Sequence, residues 1–141
     1  MTQRALIQID RVFKEFRARF IGKCSPVHFF WGSFDLAVTR FSGREAPPHP
    51  GGVPHFPDWV AREAYSHEVI AFGFWPGDQK TPHPALYSYT APAPPGLVEQ
   101  PLRPAPATWD AGAGTAYLPY DAVRQSPAPR GTILDFFTTA Y

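Results

Sequence analysis

The sequence has 141 residues, with 13 lysines and arginines against 12 aspartates and glutamates and a formal net charge of +1. This length predicts a single domain, and the balanced charge argues against a dedicated nucleic-acid-binding protein. The single cysteine excludes an intramolecular disulfide. No apolar run is long enough to cross a membrane and the N-terminus shows no export signal, so we expect a cytoplasmic protein.

The first predicted element is an N-terminal amphipathic helix that ends before Pro26. Apolar residues recur at helical spacing at Ile9, Phe13, Phe16 and Phe20, which produces one continuous stripe along the helix. We expect this stripe to pack on one face of a β-sheet.

The next element is predicted to be one long strand over residues 27–41, because the segment is rich in aromatic and β-branched side chains. Strict alternation would place Phe30 and Leu36 on the apolar face that meets the helix. The opposite face would carry Trp31 and Asp35. A face that mixes large aromatic rings with polar groups is typical of a cleft wall or an interface.

The rest of the chain alternates short periodic segments with proline-rich loops. In chain order we predict a loop at 42–57, a helix at 58–68, strands at 69–75 and 86–91, a proline-rich surface segment at 92–106, a strand at 115–118 and a helix at 132–141. Together these elements predict one α+β domain over residues 1–141. Its sheet would be antiparallel or mixed with about four strands, accompanied by the N-terminal and C-terminal helices.

Candidate catalytic residues centre on His67, because histidine titrates near neutral pH and a nearby carboxylate can orient its ring. We predict His67 and Asp35 as the catalytic pair. His28 would point to the apolar face of its strand and would therefore lie away from Asp35. Aromatic walls and polar contacts for a ligand are predicted at Trp31, Tyr65, Glu68, Trp75 and Arg40. The alternative is that His67 only caps the end of its helix.

A metal site is the second candidate. On a helix over residues 58–68, Glu63 and His67 would stand at positions i and i+4 and project from one face, a spacing that can hold a divalent ion. The same pair also arises by chance on helix surfaces, so a structural role stays open. No cofactor is identified from the sequence, and the common phosphate-binding, dinucleotide, zinc-protease and serine-hydrolase motifs are absent.

Four segments spread over nearly the whole chain resemble segments of a known protein family: FKEFRARFIGKCSPVHFFWGSFDLAVTRFSGR at 13–44, EAYSHEV at 63–69, GFWPG at 73–77 and LPYDAVR at 118–124. They are similar to an uncharacterised bacterial family, the domain of unknown function family 5996. The family has no established activity, so the resemblance transfers no catalytic residue. Its members are usually about twice this length, which implies that the chain matches their C-terminal half only.

The sequence is compatible with three functions. The first is a small-molecule-binding domain, with catalysis left open, whose pocket lies between the face of Trp31 and Asp35 and the segment 65–75. The second is an interaction module that forms a homodimer through an aromatic sheet face, because aromatic residues make up 16% of the chain and exceed what its core needs. The third is a metal-dependent enzyme that uses Glu63 and His67.

Overall fold

One six-stranded antiparallel sheet organises the fold, which is known from a computed structural model that describes residues 2–79 and 82–141, without the side chain of Thr2. The strands are β1 (His28–Phe30), β2 (Asp35–Glu45), β3 (His67–Trp75), β4 (Ala85–Ala91), β5 (Thr108–Asp110) and β6 (Thr115–Pro119), in the spatial order β1-β2-β3-β4-β6-β5. The α-helices of this part of the chain are α1 (Thr2–Ala18), α2 (Asp58–Ala64), α3 (Tyr120–Gln125) and α4 (Pro129–Ala140). The α+β class with an antiparallel sheet is confirmed, and the prediction of about four strands was too low.

Helices α1 and α4 cover one face of the sheet. Three residues of the predicted stripe are buried there, since Ile9, Phe13 and Phe16 are almost inaccessible to solvent, whereas Phe20 lies beyond the end of α1 and is only partly buried. The ring of Phe16 packs edge-on against Phe72 of β3, with 4.8 Å between the ring centroids, and the ring of Phe13 packs against Phe137 of α4 at 5.0 Å. This layer of interlocked aromatic rings forms the hydrophobic core. None of the helices in the described ranges has the length and apolar character of a membrane span.

The segment predicted as one strand over 27–41 is a hairpin. Strands β1 and β2 are joined by a four-residue turn, and Phe30 pairs with Asp35. The turn follows from Gly32 and Ser33, which interrupt the apolar run, and from Phe34, whose φ of 56° is left-handed. Because the turn shifts the parity of β1, His28 lies on the same sheet face as Asp35, and the prediction that they lie on opposite faces was wrong.

Helix α2 is shorter than predicted. It ends at Ala64, and the Ser66 hydroxyl donates a hydrogen bond of 2.8 Å to the carbonyl oxygen of Glu63 just beyond that end. His67 then begins strand β3, where it pairs with Glu45. The prediction that His67 lies on a helix was therefore wrong, because pairing with β2 outweighs the local helical pattern.

The proline-rich segment 92–106 is tied to the neighbouring elements. It includes a short 3₁₀ turn (Leu97–Glu99) and leads into β5, a strand that the sequence did not predict. The indole nitrogen of Trp109 donates a 2.8 Å hydrogen bond to the Gln100 carbonyl oxygen, and the Arg103 amide donates to the Thr139 hydroxyl of α4 at 3.1 Å. These contacts hold the segment against the edge of the sheet and the end of the helical layer.

Candidate functional site: an aromatic cleft on the open face of the sheet

A cleft of about 590 Å³ lies on the sheet face opposite α1 and α4. Strands β2 and β3 form its floor with the small side chains of Ala37 and Ala71, and β4 and β6 form a wall with tyrosines. Small residues beside large rings leave a hollow, because alternation sends each side chain of a given parity to the same face. The cleft is lined by Phe30, Ser33, Asp35, Ala37, Thr39, Phe41, Phe56, Ala64, Tyr65, Val69, Ala71, Trp75, Tyr87, Tyr89, Thr115 and Tyr117.

Asp35 is the charged residue of this lining, and it is only 6% exposed. The Ser33 hydroxyl donates a hydrogen bond to its Oδ1, and the Tyr87 phenol donates one to its Oδ2. One donor on each oxygen is the pattern of an ionised carboxylate, which can only accept. Both donors are neutral, and within the described ranges no lysine, arginine or histidine forms an ion pair with Asp35.

Gly73 positions the Tyr87 side chain. Tyr87 starts on β4 opposite Gly73 of β3, and its phenol reaches Asp35 on β2, so the side chain crosses the middle strand. A Cβ atom added to Gly73 would lie 2.0 Å from the Cζ atom of Tyr87, far inside any permitted contact. Glycine at this position therefore makes room for the ring that holds the carboxylate.

Three tyrosines form a connected group in the wall. The rings of Tyr87 and Tyr89 are nearly parallel, with centroids 6.1 Å apart, and the hydroxyl oxygens of Tyr65 and Tyr89 lie 3.1 Å apart in a hydrogen bond. Burial raises the pKa of Tyr87 far above its ordinary value, and the hydrogen bond to Asp35 raises it further. Burial and the neighbouring Tyr65 likewise raise the pKa of Tyr89. The phenols of Tyr87 and Tyr89 therefore act as neutral hydrogen-bonding groups.

Of the residues that sequence analysis proposed for the site, the structure brings together Asp35, Tyr65 and Trp75. His67 lies at the other end of β3 from Trp75, and a strand rises about 3.3 Å per residue, so the two ends are roughly 26 Å apart. The predicted approach of Asp35 to His67 therefore does not occur, because β2 begins beside the Trp75 end. The His67 ring is exposed, with its Nδ1 atom 3.2 Å from the Ser66 hydroxyl.

Glu68, Trp31 and Arg40 do not line the cleft. The Glu68 carboxylate accepts hydrogen bonds from Arg44 and Ser42, and the bond from Arg44 lowers the pKa of Glu68. Trp31 lies in the β1–β2 turn and is 81% exposed. The assignment of these residues to one pocket was therefore wrong in its geometry.

Arg40 lies on the helix-covered face, because alternation groups it with Leu36 and Val38. Its guanidinium carbon is 3.7 Å from the ring centroid of Phe16 and 4.7 Å from that of Phe20. One Nη atom donates a 2.9 Å hydrogen bond to the Phe16 carbonyl oxygen. Burial lowers the pKa of Arg40, and its role here is to fill and cross-link the core.

The predicted metal-ligand pair Glu63 and His67 does not lie on one helix. Glu63 belongs to α2 and His67 to β3, so the pair does not share a helix face. Within the part of the chain that the structure describes, no three or more histidine, cysteine, aspartate or glutamate residues are grouped as metal ligands would be.

Sequence analysis did not identify Tyr87, Tyr89 or Gly73 as site residues. A usable signal exists in the segment LYSYTA, where two tyrosines stand two residues apart and therefore on one face of a strand. Gly73 in the middle of an otherwise apolar strand is the second signal, since an interior glycine often marks a close approach of another group. Combining the two signals requires the pairing of β3 with β4, which only the tertiary structure supplies.

Comparison with known proteins places the chain in a family. No curated protein and no solved structure matches it. One family model matches residues 1–141, so the expectation that the chain corresponds to the C-terminal half only is not borne out. On the evidence of this match over its whole length, the chain belongs to DUF5996, a family of unknown function.

Proposed function

We propose that the protein is a small-molecule-binding domain and that its ligand occupies the aromatic cleft on the open face of the sheet. One observation carries this proposal: a carboxylate that is 6% exposed stands in a cleft of about 590 Å³ among tyrosine and tryptophan rings. Ligand sites are typically concave, largely apolar and equipped with a few convergent polar groups, and their volumes fall in this range.

The arrangement of the polar groups supports binding over a merely structural role. Asp35 lies on β2 and Tyr87 on β4, the two neighbours of β3, and their side chains meet over Gly73 of β3. Three strands therefore position one carboxylate. A polar group in a hydrophobic core is ordinarily covered, yet here the surrounding rings leave an open hollow beside it. Apolar walls would hold the body of a ligand, and Asp35 would fix its orientation.

A fragment screen by NMR tests the proposal. We expect a chemically diverse fragment set to produce hits that shift the signals of residues lining the cleft, such as Ala37, Ala71 and Tyr89. The cleft-filling variant Ala71→Leu should lose these hits, whereas Ala111→Leu, which enlarges an exposed residue in the turn between β5 and β6, should retain them. A screen with no hit in the cleft of the folded wild-type protein would overturn the proposal.

Self-association is a second candidate function, and it is favoured by an aromatic cluster at the tip of the β1–β2 hairpin. Trp31 is 81% exposed, and its ring contacts Phe29 and Phe34, with centroid distances of 5.2 and 6.3 Å. Exposed aromatic groups of this kind often lie in contacts between copies of a protein. A molar mass of twice the chain from light scattering, reduced to one chain by Trp31→Ser, would support a homodimer.

A further inference from the structure

We infer that the ligand of the cleft carries an amine-derived positive charge, with an ammonium group bound at Asp35 and an apolar or aromatic body held by the surrounding rings. This inference rests on the proposed function and adds the chemical class of the ligand. It follows from the charge of Asp35, from the aromatic rings that line the cleft and from the aromatic surroundings of the buried Arg40 on the other sheet face.

The negative charge of Asp35 has no opposite charge beside it among the described residues. Asp35 is buried and is held by two neutral hydroxyl donors. Burying an ion is costly unless it is paired, and each carboxylate oxygen can accept a second hydrogen bond. An ammonium group supplies both the missing opposite charge and up to three donors.

Other acidic residues of the chain are paired differently. Glu15, Glu68 and Asp121 are more exposed than Asp35, and each has an arginine nitrogen within 2.5–2.7 Å. Among the described residues, Asp35 therefore combines the deepest burial of an acidic group with the lack of a cationic partner. The contrast indicates that no described residue supplies the counter-charge of Asp35, and a bound cation would supply it.

The rings are suited to the same cation. Tyr65, Tyr87, Tyr89, Tyr117 and Trp75 all line the cleft, and the described part of its lining contains no lysine, arginine or histidine. The electron-rich face of an aromatic ring attracts an ammonium group, most strongly where water is excluded. An anionic ligand would instead meet the Asp35 carboxylate without a compensating positive group.

The other face of the sheet shows that this protein does hold a cation among aromatic rings. The Arg40 guanidinium lies 3.7 Å from the ring centroid of Phe16 and 4.7 Å from those of Phe20 and Tyr141. There the cation belongs to the chain. In the cleft, aromatic rings and a carboxylate line a hollow together.

Three matched probes test the inference: 2-phenylethylammonium, neutral 2-phenylethanol and anionic phenylacetate, each titrated into the full chain and followed by NMR. We expect the cation to bind at least tenfold more tightly than the neutral probe, with the anion weakest. Raising sodium chloride from 20 to 500 mM should change binding of the cation at the cleft only slightly, because a pair with a buried carboxylate is screened much less than a pair at the surface, whereas binding of the cation to exposed carboxylates would weaken. This salt comparison uses the unaltered protein and does not depend on the folding of a variant.

Two variants of equal charge provide the control. Asp35→Asn should abolish the preference for the cation, whereas Asp121→Asn removes one negative charge from an exposed ion pair on α3 and should retain it. Tyr87→Phe keeps the carboxylate and removes one competing donor, so the cation should still be preferred.

The outcomes separate this inference from the proposed function. Equal affinity for the cation and the neutral probe, or a preference that survives in folded Asp35→Asn, would overturn the inference and leave the cleft as a binding site. Failure of all three probes to shift cleft residues would also overturn the inference. The fragment screen tests the proposed function separately.

Discussion

Each face of strand β2 carries one buried charged residue, and the two residues have different surroundings. On the helix-covered face, Arg40 is packed between aromatic rings and donates a hydrogen bond to a backbone carbonyl, while its Nε atom has no hydrogen-bond partner among the described residues. On the open face, Asp35 is bonded to Ser33 and Tyr87, and its surroundings include a cleft. The difference teaches that one strand can contribute both to a stabilising core and to a candidate site, because alternate side chains pack under α1 and α4 while the others line the cleft.

The largest effect is expected on the helix-covered face. Replacing Phe16, which is 3% exposed, by alanine removes a ring from the contacts with Phe72 and Phe137 and should lower the free energy of unfolding by about 3–5 kcal/mol. Urea denaturation followed by circular dichroism measures the change. Phe56→Ala, at a cleft residue that is 40% exposed, should cost far less. Equal losses in the two variants would show that the faces do not differ as described.

Gly73→Ala should have the next largest effect. The new methyl group would collide with the Tyr87 ring and displace it from Asp35, and overpacking of this kind typically lowers the free energy of unfolding by about 1–3 kcal/mol. The variant should also lose the fragment hits in the cleft. Gly32→Ala is the matched control, since a Cβ atom there meets nothing within 4 Å. Unchanged fragment binding in Gly73→Ala would refute the positioning role of the glycine.

Alkaline pH offers a probe of the two buried tyrosines of the open face. Burial raises the pKa of Tyr87 and Tyr89, so above about pH 10 the unfolded chain releases phenol protons that the folded chain retains. The stability that these two protonated phenols contribute is therefore complete below about pH 10 and falls as the pH rises, by at most about 1.4 kcal/mol per pH unit for each of the two groups. Urea denaturation between pH 9 and 11.5 measures this slope. Tyr87→Phe should reduce it, and a slope as steep as that of the wild-type protein would contradict the assignment.

The smallest effect on stability is expected at the hairpin tip. Trp31 is 81% exposed, so Trp31→Ala should change the free energy of unfolding by no more than about 0.5 kcal/mol. Thermal denaturation at low protein concentration checks this expectation. A large loss would mean that the tip packs against a second copy or another part of the chain, and packing against a second copy would support self-association.

Local patterns in the sequence determined much of the fold. The spacing of Ile9, Phe13 and Phe16 predicted both α1 and its buried face, and the apolar segments 69–75, 86–91 and 115–118 predicted β3, β4 and β6 within one or two residues. These predictions succeed because periodic burial is a short-range property that each element displays by itself. The structure also brings Asp35, Tyr65 and Trp75, three of the residues proposed from the sequence, into one cleft, although the sequence had paired Asp35 with His67.

The tertiary structure alone decided the site. Whether 27–41 is a strand or a hairpin depends on a turn at Gly32 and Ser33, and whether His67 belongs to a helix or a strand depends on its pairing with Glu45. The contact of Tyr87 with Asp35 joins residues 52 positions apart and passes over Gly73. Such contacts depend on strand order and register, and a sequence pattern that extends over one element carries no information about which strand lies beside it.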